Sequence, residues 1–280
     1  MKLGMNLLLY TTQPDEKVFP ICDRLRGFGF ESLEWPLLGE NPDAEKKIAE
    51  YNSKHRLDAT AVSVFPPDAD PISSNPEYRK AAGQLIKTRL DQCERIGATL
   101  LCGPLVQALG GFTGKGPTAD ERKWCIDMLQ GAGDHARSRG VTIAIEFLNR
   151  FEIFFINTAA DAARLCDEVD HPNVKMMYDS FHAHIEEKNQ FQAIVGAKRH
   201  IVHFHVSEND RGVPGSGQVH WDDYFRGVKE IGRKDVRLTI ESFGDALPDL
   251  AAAAKIWRPL FKHADDVPYQ GASFIKKMVG

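Results

Sequence analysis

The sequence lacks any apolar run long enough to cross a membrane. Its first ten residues, MKLGMNLLLY, are apolar but have neither the length nor the cleavage pattern of a signal peptide, and no run approaches about 20 apolar residues. It also lacks a basic stripe, because 35 Lys and Arg are interspersed with 39 Asp and Glu, for a net charge of −4. We therefore expect neither a membrane nor a nucleic acid as a partner.

Cysteine is scarce, and no CxxC pair occurs. The five cysteines are Cys22, Cys93, Cys102, Cys125 and Cys166. An odd, scattered set predicts reduced thiols in a cytoplasmic protein, most of them in the core or on helices. Cys102 ends a predicted strand, so it is the one candidate to face a pocket.

Short apolar segments and helix-length amphipathic segments alternate along all 280 residues, a length typical of one α/β barrel. The predicted strands are 2–9, 32–35, 58–65, 99–103, 141–147, 174–178, 201–206 and 237–240. The predicted helices are 16–26, 44–52, 76–96, 119–139, 159–169, 191–197, 221–231 and 246–264, and the tail 265–280 has no assignment. Eight repeats predict a single-domain (β/α)₈ TIM barrel over residues 1–280, with a doubly wound open sheet as the alternative.

Each of the last four predicted strands ends in a potential metal ligand. These are Glu146 in IAIEF, Asp179 in MMYDS, His205 in HFHVS and Glu241 in LTIES. A parallel barrel brings the C-terminal ends of its strands to one rim. The residues one and three positions before each ligand are large and apolar, so they are expected to face outward: Ile145, Ile143, Tyr178, Met176, Phe204, Val202, Ile240 and Leu238. All four ligands are then expected to point inward.

Three carboxylates and one imidazole form an oxygen-rich donor set. Such a set favours one divalent ion, Mn²⁺, Mg²⁺ or Co²⁺, with positions left open for substrate or water. His203 shares the inward direction of His205 but lies one layer deeper, so we interpret it as a core histidine rather than a ligand. Glu152, His182 and Arg211 follow the same strand ends and are expected to surround the ion.

The segments EFLNRFE, YDSFHAHIEE, HFHVSENDRGVPGSGQVHWDDYF and TIESF resemble those of the ketose 3-epimerases, the D-tagatose and D-psicose (allulose) 3-epimerase family. That family belongs to the xylose-isomerase-like barrels. The similarity runs over most of the chain in the same order, and the NRFE and HFH…R…PG.G..W segments are its most specific parts.

The resemblance implies a role for each matching residue. Glu146, Asp179, His205 and Glu241 would hold the ion, Mn²⁺ first, and Glu152, His182 and Arg211 would bind the O1, O2 and O3 end of a sugar. Glu146 and Glu241 would also exchange the proton on C3 through an enediolate, which inverts C3 of a free ketose such as D-tagatose, D-psicose, D-fructose or L-ribulose. The resemblance also implies a homodimer or homotetramer.

The first half of the chain departs from the family pattern. Asn6 stands where the family usually has an aromatic residue, and we expect it to hydrogen-bond the substrate. Ser63 and Phe65, from SVFPP, are expected to line the side facing C4 to C6. The loops SEND and ESFGD are acidic, which favours a free or neutral sugar over a sugar phosphate.

Other functions remain open from the sequence. An aldose–ketose isomerase, a hydroxypyruvate isomerase or a keto-inositol dehydratase would need the same scaffold and a metal. A non-catalytic sugar-binding barrel is a further alternative, although binding alone does not require two opposed carboxylates. The related barrel endonucleases need a basic face, which the acidic balance of this chain disfavours.

Overall fold

Eight parallel strands form a closed barrel in the computed structural model, which describes residues 1–280. The strands are β1 (Lys2–Asn6), β2 (Ser32–Pro36), β3 (Asp58–Val62), β4 (Leu100–Gly103), β5 (Thr142–Ile145), β6 (Val174–Asp179), β7 (Ile201–Val206) and β8 (Arg237–Ile240). Each strand pairs with the next, and β8 pairs with β1 to close the barrel. The predicted (β/α)₈ barrel is confirmed, and the open-sheet alternative is wrong.

Ten α-helices accompany the strands. They are α1 (Phe19–Phe28), α2 (Pro42–His55), α3 (Pro76–Ile96), α4 (Ala119–Ser138), α5 (Ala159–Val169), α6 (Ser180–Glu186), α7 (Gln190–Ala197), α8 (Trp221–Ile231), α9 (Pro248–Ala253) and α10 (Asp266–Val279). Side-chain caps start several of them: Asn41 and Asn75 accept hydrogen bonds from first-turn N–H groups, and Thr118 forms a capping box with Glu121. None of these helices is long and apolar enough to cross a membrane.

The C-terminal region differs from the prediction. The helix expected at 246–264 is limited to α9, because Lys255 adopts a left-handed backbone conformation (φ 61°) and Pro259 follows. The unassigned tail instead forms α10, whose Val267 and Ile275 are buried, and which packs against α1 and α8. The tail therefore supplies the outer helix that follows β8.

The first strand is shorter than predicted. It ends at Asn6, because the Asn6 side chain accepts a hydrogen bond from Leu8 N (2.8 Å) and starts a 3₁₀ turn over Leu7–Leu9. This turn places Leu8 at the rim of the barrel rather than in a continuing strand.

The core has an outer and an inner part. The outer part lies between barrel and helices and contains the predicted outward residues of β5–β8, among them Ile145, Tyr178 and Phe204. Val202 is the exception. The β6–β7 register shifts between Met176 and Met177, which leaves Val202 unpaired, partly buried and packed against the inner cluster.

All five cysteines are buried, and none forms a disulfide bond.

Gly103, at the end of β4, lies where three strands approach closely. Its φ is +125°, and a Cβ atom built on it would lie 2.1 Å from the carbonyl oxygen of Ser63. Its own carbonyl accepts the backbone N–H of Glu146 (2.9 Å). A side chain at this position would therefore push the end of β4 away from the backbone that follows β3 and disturb the hydrogen bond to Glu146.

We expect Gly103→Ala to lower the free energy of unfolding by at least about 2 kcal/mol, because it combines backbone strain with a clash against backbone. Urea denaturation measures the loss. Gly131→Ala is the matched control: Gly131 lies in α4 with open space around it, so alanine there should be neutral or slightly stabilising. Equal stability of Gly103→Ala and the native chain would contradict the expectation.

Candidate active site

The residues predicted to bind a metal lie together at the C-terminal rim of β5–β8. Glu146 and Glu241 directly follow β5 and β8, Asp179 ends β6, and His205 lies in β7. All four are buried. Potential ligand atoms of Asp179, His205 and Glu241 lie within 4.8 Å of one another, and Glu146, Asp179 and His182 form a second such group. The fold brings the predicted set together, and its ligation of an ion stays a prediction.

The atoms of this cluster suit a divalent cation. His205 Nδ1 and Glu146 Oε1 are buried without a hydrogen-bond partner. His205 Nδ1 lies 3.3 Å from Glu241 Oε1 and 3.9 Å from Asp179 Oδ2. Such unpaired buried atoms are costly, and a cation among them would satisfy both. With three carboxylates and one imidazole, the donor set fits Mn²⁺, Mg²⁺ or Co²⁺.

The carboxylates of the cluster differ in their protonation. Burial and the charges of Glu241 and Asp179 raise the pKa of Glu146 well above its ordinary value, and burial raises the pKa of Asp179 to about 6. Burial also works against ionisation of Glu241, but the positive charges of His205 and Arg211 outweigh it and lower its pKa. The pKa values of Glu146 and Glu241, which share one cavity, are thus shifted in opposite directions.

Arg211 is the fixed positive charge of the site. Its Nη1 donates to Asp179 Oδ2 (2.8 Å) and to Glu241 Oε2 (2.6 Å). The guanidinium lies 3.8 Å from the ring centroid of Phe181 and 5.1 Å from that of Phe243. Burial disfavours its charge, but Asp179 and Glu241 raise its pKa above the ordinary value, so Arg211 stays charged.

The loop that carries Arg211 is folded around Glu208, which is fully buried. Its carboxylate accepts hydrogen bonds from the backbone N–H groups of Gly215 (2.8 Å) and Val219 (3.1 Å) and from Trp221 Nε1 (3.1 Å). Arg211 itself adopts a left-handed conformation (φ 66°). The sequence motif pointed to Arg211 but not to the carboxylate that holds its loop in place.

His182 and Glu152 complete the polar side of the site. His182 lies on α6 with Nε2 2.9 Å from Arg211 Nη2, and burial together with the charges of Arg211 and His205 lowers its pKa well below the ordinary value. Glu152 is partly exposed at the mouth, 3.9 Å from His182 Nδ1. Asn149, which sequence reasoning missed within the NRFE motif, donates to Glu152 Oε1 (2.7 Å) and contacts His182 Nδ1 (3.0 Å). Short polar contacts therefore connect His182, Asn149 and Glu152.

A buried carboxylate below the cluster was not predicted. Glu34, on β2, accepts hydrogen bonds from His205 Nε2 (2.7 Å) and from Thr60 Oγ1 (3.0 Å). Cys102 Sγ (3.2 Å) and His203 Nε2 (2.8 Å) also lie against it. Burial opposes its charge, but His205 and His203 outweigh burial and hold its pKa well below the ordinary value. The sequence did contain a signal for this role, because a charged residue inside a predicted core strand needs buried partners.

The interaction with Glu34 fixes the orientation of His205. Because Nε2 faces the Glu34 carboxylate, Nδ1 is directed toward Asp179 and Glu241. A carboxylate that holds the far nitrogen of a histidine is common behind metal ligands. His203 contacts Glu34 on the layer below, as expected for a core histidine.

Asn6 and Ser63 are not on the cavity wall, so two of the predicted substrate contacts need correction. Asn6 is fully buried, and its Nδ2 donates to Glu34 Oε1 (3.0 Å) and Glu241 Oε1 (3.0 Å). Ser63 is buried and donates to Leu37 O (2.9 Å). The side chains of β3 alternate the other way, so that Val62 and Val64, rather than Ser63 and Phe65, line the cavity.

A cavity of about 190 Å³ opens above the cluster. Its polar lining residues are Glu146, Glu152, His182, Arg211 and Glu241. Asp179 and His205 lie deeper and do not line it. The cavity therefore presents two carboxylates of the cluster, the guanidinium and the imidazole to a small bound molecule.

Comparison with known proteins agrees with this architecture. The family model described as the xylose isomerase-like TIM barrel matches residues 22–275. The chain belongs to this family. The match covers Glu34, the four residues of the cluster and the polar residues that line the cavity, whereas Asn6 lies before it.

Relatives of this xylose isomerase-like barrel include ketose 3-epimerases, which are isomerases. A ketose 3-epimerase of Arthrobacter globiformis is 27% identical over 99% of this chain and 96% of its own length. A D-psicose 3-epimerase of Agrobacterium fabrum is 27% identical over 95% of this chain and 93% of its own length. The solved D-allulose 3-epimerase of a Methylomonas species, in complex with D-allulose, superposes with a TM-score of 0.91, at 25% identity and with 99% and 97% of the two chains covered. The resemblance drawn from the sequence motifs is confirmed.

We expect Glu34→Gln to weaken binding of Mn²⁺ by about 10- to 100-fold, because His205 would lose the carboxylate that orients it. Isothermal titration calorimetry measures the affinity. Glu45→Gln is the matched control, since the Glu45 side chain is equally buried but pairs with Arg95 on the outer helices. An unchanged Mn²⁺ affinity of Glu34→Gln would contradict this role.

Proposed function

We propose that the protein is a metal-dependent ketose 3-epimerase that inverts C3 of a free ketose through an enediolate. The observation that carries the proposal is the pair Glu146 and Glu241, two carboxylates that face one cavity from β5 and β8. The relatives named as ketose 3-epimerases support the same reaction.

Glu146, Asp179, His205 and Glu241 would hold one divalent ion, Mn²⁺ first and Mg²⁺ or Co²⁺ as alternatives. The unpaired His205 Nδ1 and Glu146 Oε1 support this assignment. When bound, the ion would supply positive charge that stabilises the oxygens of an enediolate.

The remaining polar residues would bind and orient the reacting end of the sugar. Arg211 keeps its charge at neutral pH, and His182 stays neutral, so the two present a cation and an uncharged imidazole to the O1, O2 and O3 end. Glu152 would accept a hydroxyl hydrogen bond at the mouth. Groups held in place before the reaction stabilise developing charge without reorganisation.

Proton transfer would be the task of Glu146 and Glu241. One carboxylate removes the proton from C3, and the other carboxyl group, in its acid form, returns a proton from the opposite face, which inverts the carbon. Glu146 and Glu241 follow β5 and β8 and line one cavity, so they can face opposite sides of a bound sugar, with the roles exchanged in the reverse direction.

The assembly state and location are further parts of the proposal. A homodimer or homotetramer, expected from the resemblance, and a cytoplasmic location, expected from the cysteines, stay predictions. The sugar itself is proposed to be a D-psicose, D-fructose, D-tagatose or L-ribulose type of ketose.

Turnover of a ketose in D₂O distinguishes this reaction from its alternatives. We expect deuterium at C3 of the recovered ketose and a second ketose epimeric at C3, detected by NMR. Deuterium at C1 or C2 would instead indicate an aldose–ketose isomerase, and loss of water would indicate a dehydratase.

Glu146→Gln and Glu241→Gln should each lower kcat by about 10²- to 10⁴-fold. Glu94→Gln, on the exposed surface of α3, should leave kcat unchanged.

Removal of the ion should affect both activity and stability. We expect EDTA to abolish turnover and lower the melting temperature, and added Mn²⁺ or Co²⁺ to restore both. The melting temperature changes because a ligand that binds only the folded state stabilises it by about 2.7 kcal/mol at 100 times its Kd. In Asp179→Asn the Mn²⁺-dependent rise in melting temperature should be strongly reduced. Full activity after exhaustive chelation would contradict metal dependence.

A further inference from the structure

The side-chain amide of Asn6 joins two buried carboxylates in the barrel interior. Its Nδ2 donates one hydrogen bond to Glu34 Oε1 and one to Glu241 Oε1, each at 3.0 Å. Its Oδ1 accepts the backbone N–H of Leu8 (2.8 Å). The reversed amide would direct a carbonyl oxygen at two carboxylates and an NH₂ group at a backbone N–H, so these contacts fix its orientation. Both amide hydrogens and the amide oxygen of this fully buried side chain are therefore used.

The Glu241 carboxylate is held from both sides of its own strand. In the closed barrel β8 pairs with β7 and with β1. Asn6, at the end of β1, donates to Oε1, and Arg211, in the loop after β7, donates to Oε2 (2.6 Å). The last torsion of a glutamate side chain is otherwise soft. One donor on each oxygen therefore sets the plane of this carboxylate.

Glu146, the other carboxylate proposed to move the C3 proton, is held differently. Its Oε1 is buried without a hydrogen-bond partner, and His182 Nε2 lies 3.7 Å from it. The amide of Asn6 contacts Glu241 but not Glu146. A change at Asn6 therefore acts on one member of the pair.

The orientation of a carboxylate governs how fast it transfers a proton. The oxygen that takes or gives the proton must point along the C3–H bond of the sugar, and a misplacement of about 1 Å can lower the rate by about 100-fold. Asn6 is not among the residues that line the cavity, so it does not contact a bound sugar. Any effect of Asn6 on the reaction would pass through the group that it holds.

We propose that Asn6 is a positioning residue for proton transfer by Glu241. This inference rests on the proposed epimerase function and assigns Asn6 to one of its two proton transfers. In one direction the Glu241 carboxylate takes the C3 proton, and the Glu146 carboxyl group gives its proton to the other face of C3. In the reverse direction Glu241 gives a proton and Glu146 takes one. Loss of the Asn6 hydrogen bond should slow the Glu241 transfer in both directions and leave the Glu146 transfer unchanged.

Two variants remove the donor and keep an acceptor for the N–H of Leu8. Asn6→Asp has the same shape but presents no N–H group to Glu241. Asn6→Ser is too short to reach Glu241 and adds no buried charge, so it serves if Asn6→Asp does not fold. Thr60→Val is the matched control, because Thr60 donates to the other oxygen of Glu34 (3.0 Å) and not to Glu241. Urea denaturation and Mn²⁺ titration check that the fold and the ion site persist in each variant.

The deciding measurement is the primary deuterium isotope effect on kcat/KM, with a ketose deuterated at C3 and with its deuterated C3 epimer, such as D-psicose and D-fructose. If only the Glu241 transfer is slowed, the isotope effect rises for the epimer whose proton Glu241 removes. It falls toward unity for the other epimer, whose proton Glu146 removes before the slow transfer. The ratio of the two isotope effects should therefore shift, while kcat falls by about 10- to 100-fold.

A shift of this ratio in either Asn6 variant, with none in Thr60→Val, supports the inference. General damage to the site lowers kcat without moving the two isotope effects in opposite directions. An unchanged ratio, an equal shift in Thr60→Val, complete loss of turnover in both Asn6 variants or unfolding of both would overturn the positioning role. Failure of the native chain to invert C3 of any ketose contradicts the proposed function itself, and the inference fails with it.

Discussion

The site depends on the buried carboxylate of Glu34. A single side chain on β2 is contacted by Asn6 on β1, Thr60 on β3, Cys102 on β4 and the two histidines, His203 and His205, of β7. Burying an unpaired charge is strongly unfavourable, so Glu34 is compatible with the fold only while these partners surround it. The same contacts direct His205 Nδ1, and through Asn6 the Glu241 carboxylate, into the site. The contacts that link the inner faces of β1, β2, β3, β4 and β7 therefore also arrange the cluster.

The C-terminal half of the site could be predicted from the sequence because two simple rules apply there. Parallel strands end at one rim, and alternation fixes the direction of each side chain. Glu146, Asp179, His205 and Glu241 obey both, and the structure brings them together. The rule failed at Val202, where an extra residue in β7 interrupts the alternation, and the sequence IVHFHV carries no local sign of this bulge.

The N-terminal half was harder to predict because local hydrogen bonds decide it. The cap from Asn6 to Leu8 ends β1 early, and the strand that was expected to present Ser63 and Phe65 presents Val62 and Val64 instead. The role of Glu34 depends on contacts with residues as distant in sequence as His205, which no local pattern shows. The place of the C-terminal tail likewise depends on tertiary packing. Its helix α10 is identified as the last outer helix by its contacts with α1 and α8.

The positions of the cavity-lining residues along the chain have a consequence for how such a barrel can change over evolutionary time or in the laboratory. Leu8, Leu38, Val64 and Leu109 lie on turns and strand ends of the first half, above the layer that holds Glu34. Substitutions at these positions can accumulate without altering the residues that would carry out the chemistry, which belong to the other half. Part of the apolar lining and the carboxylates of the cluster thus lie on separate stretches of one chain, and a library confined to the first four rim loops would vary the cavity without changing those carboxylates.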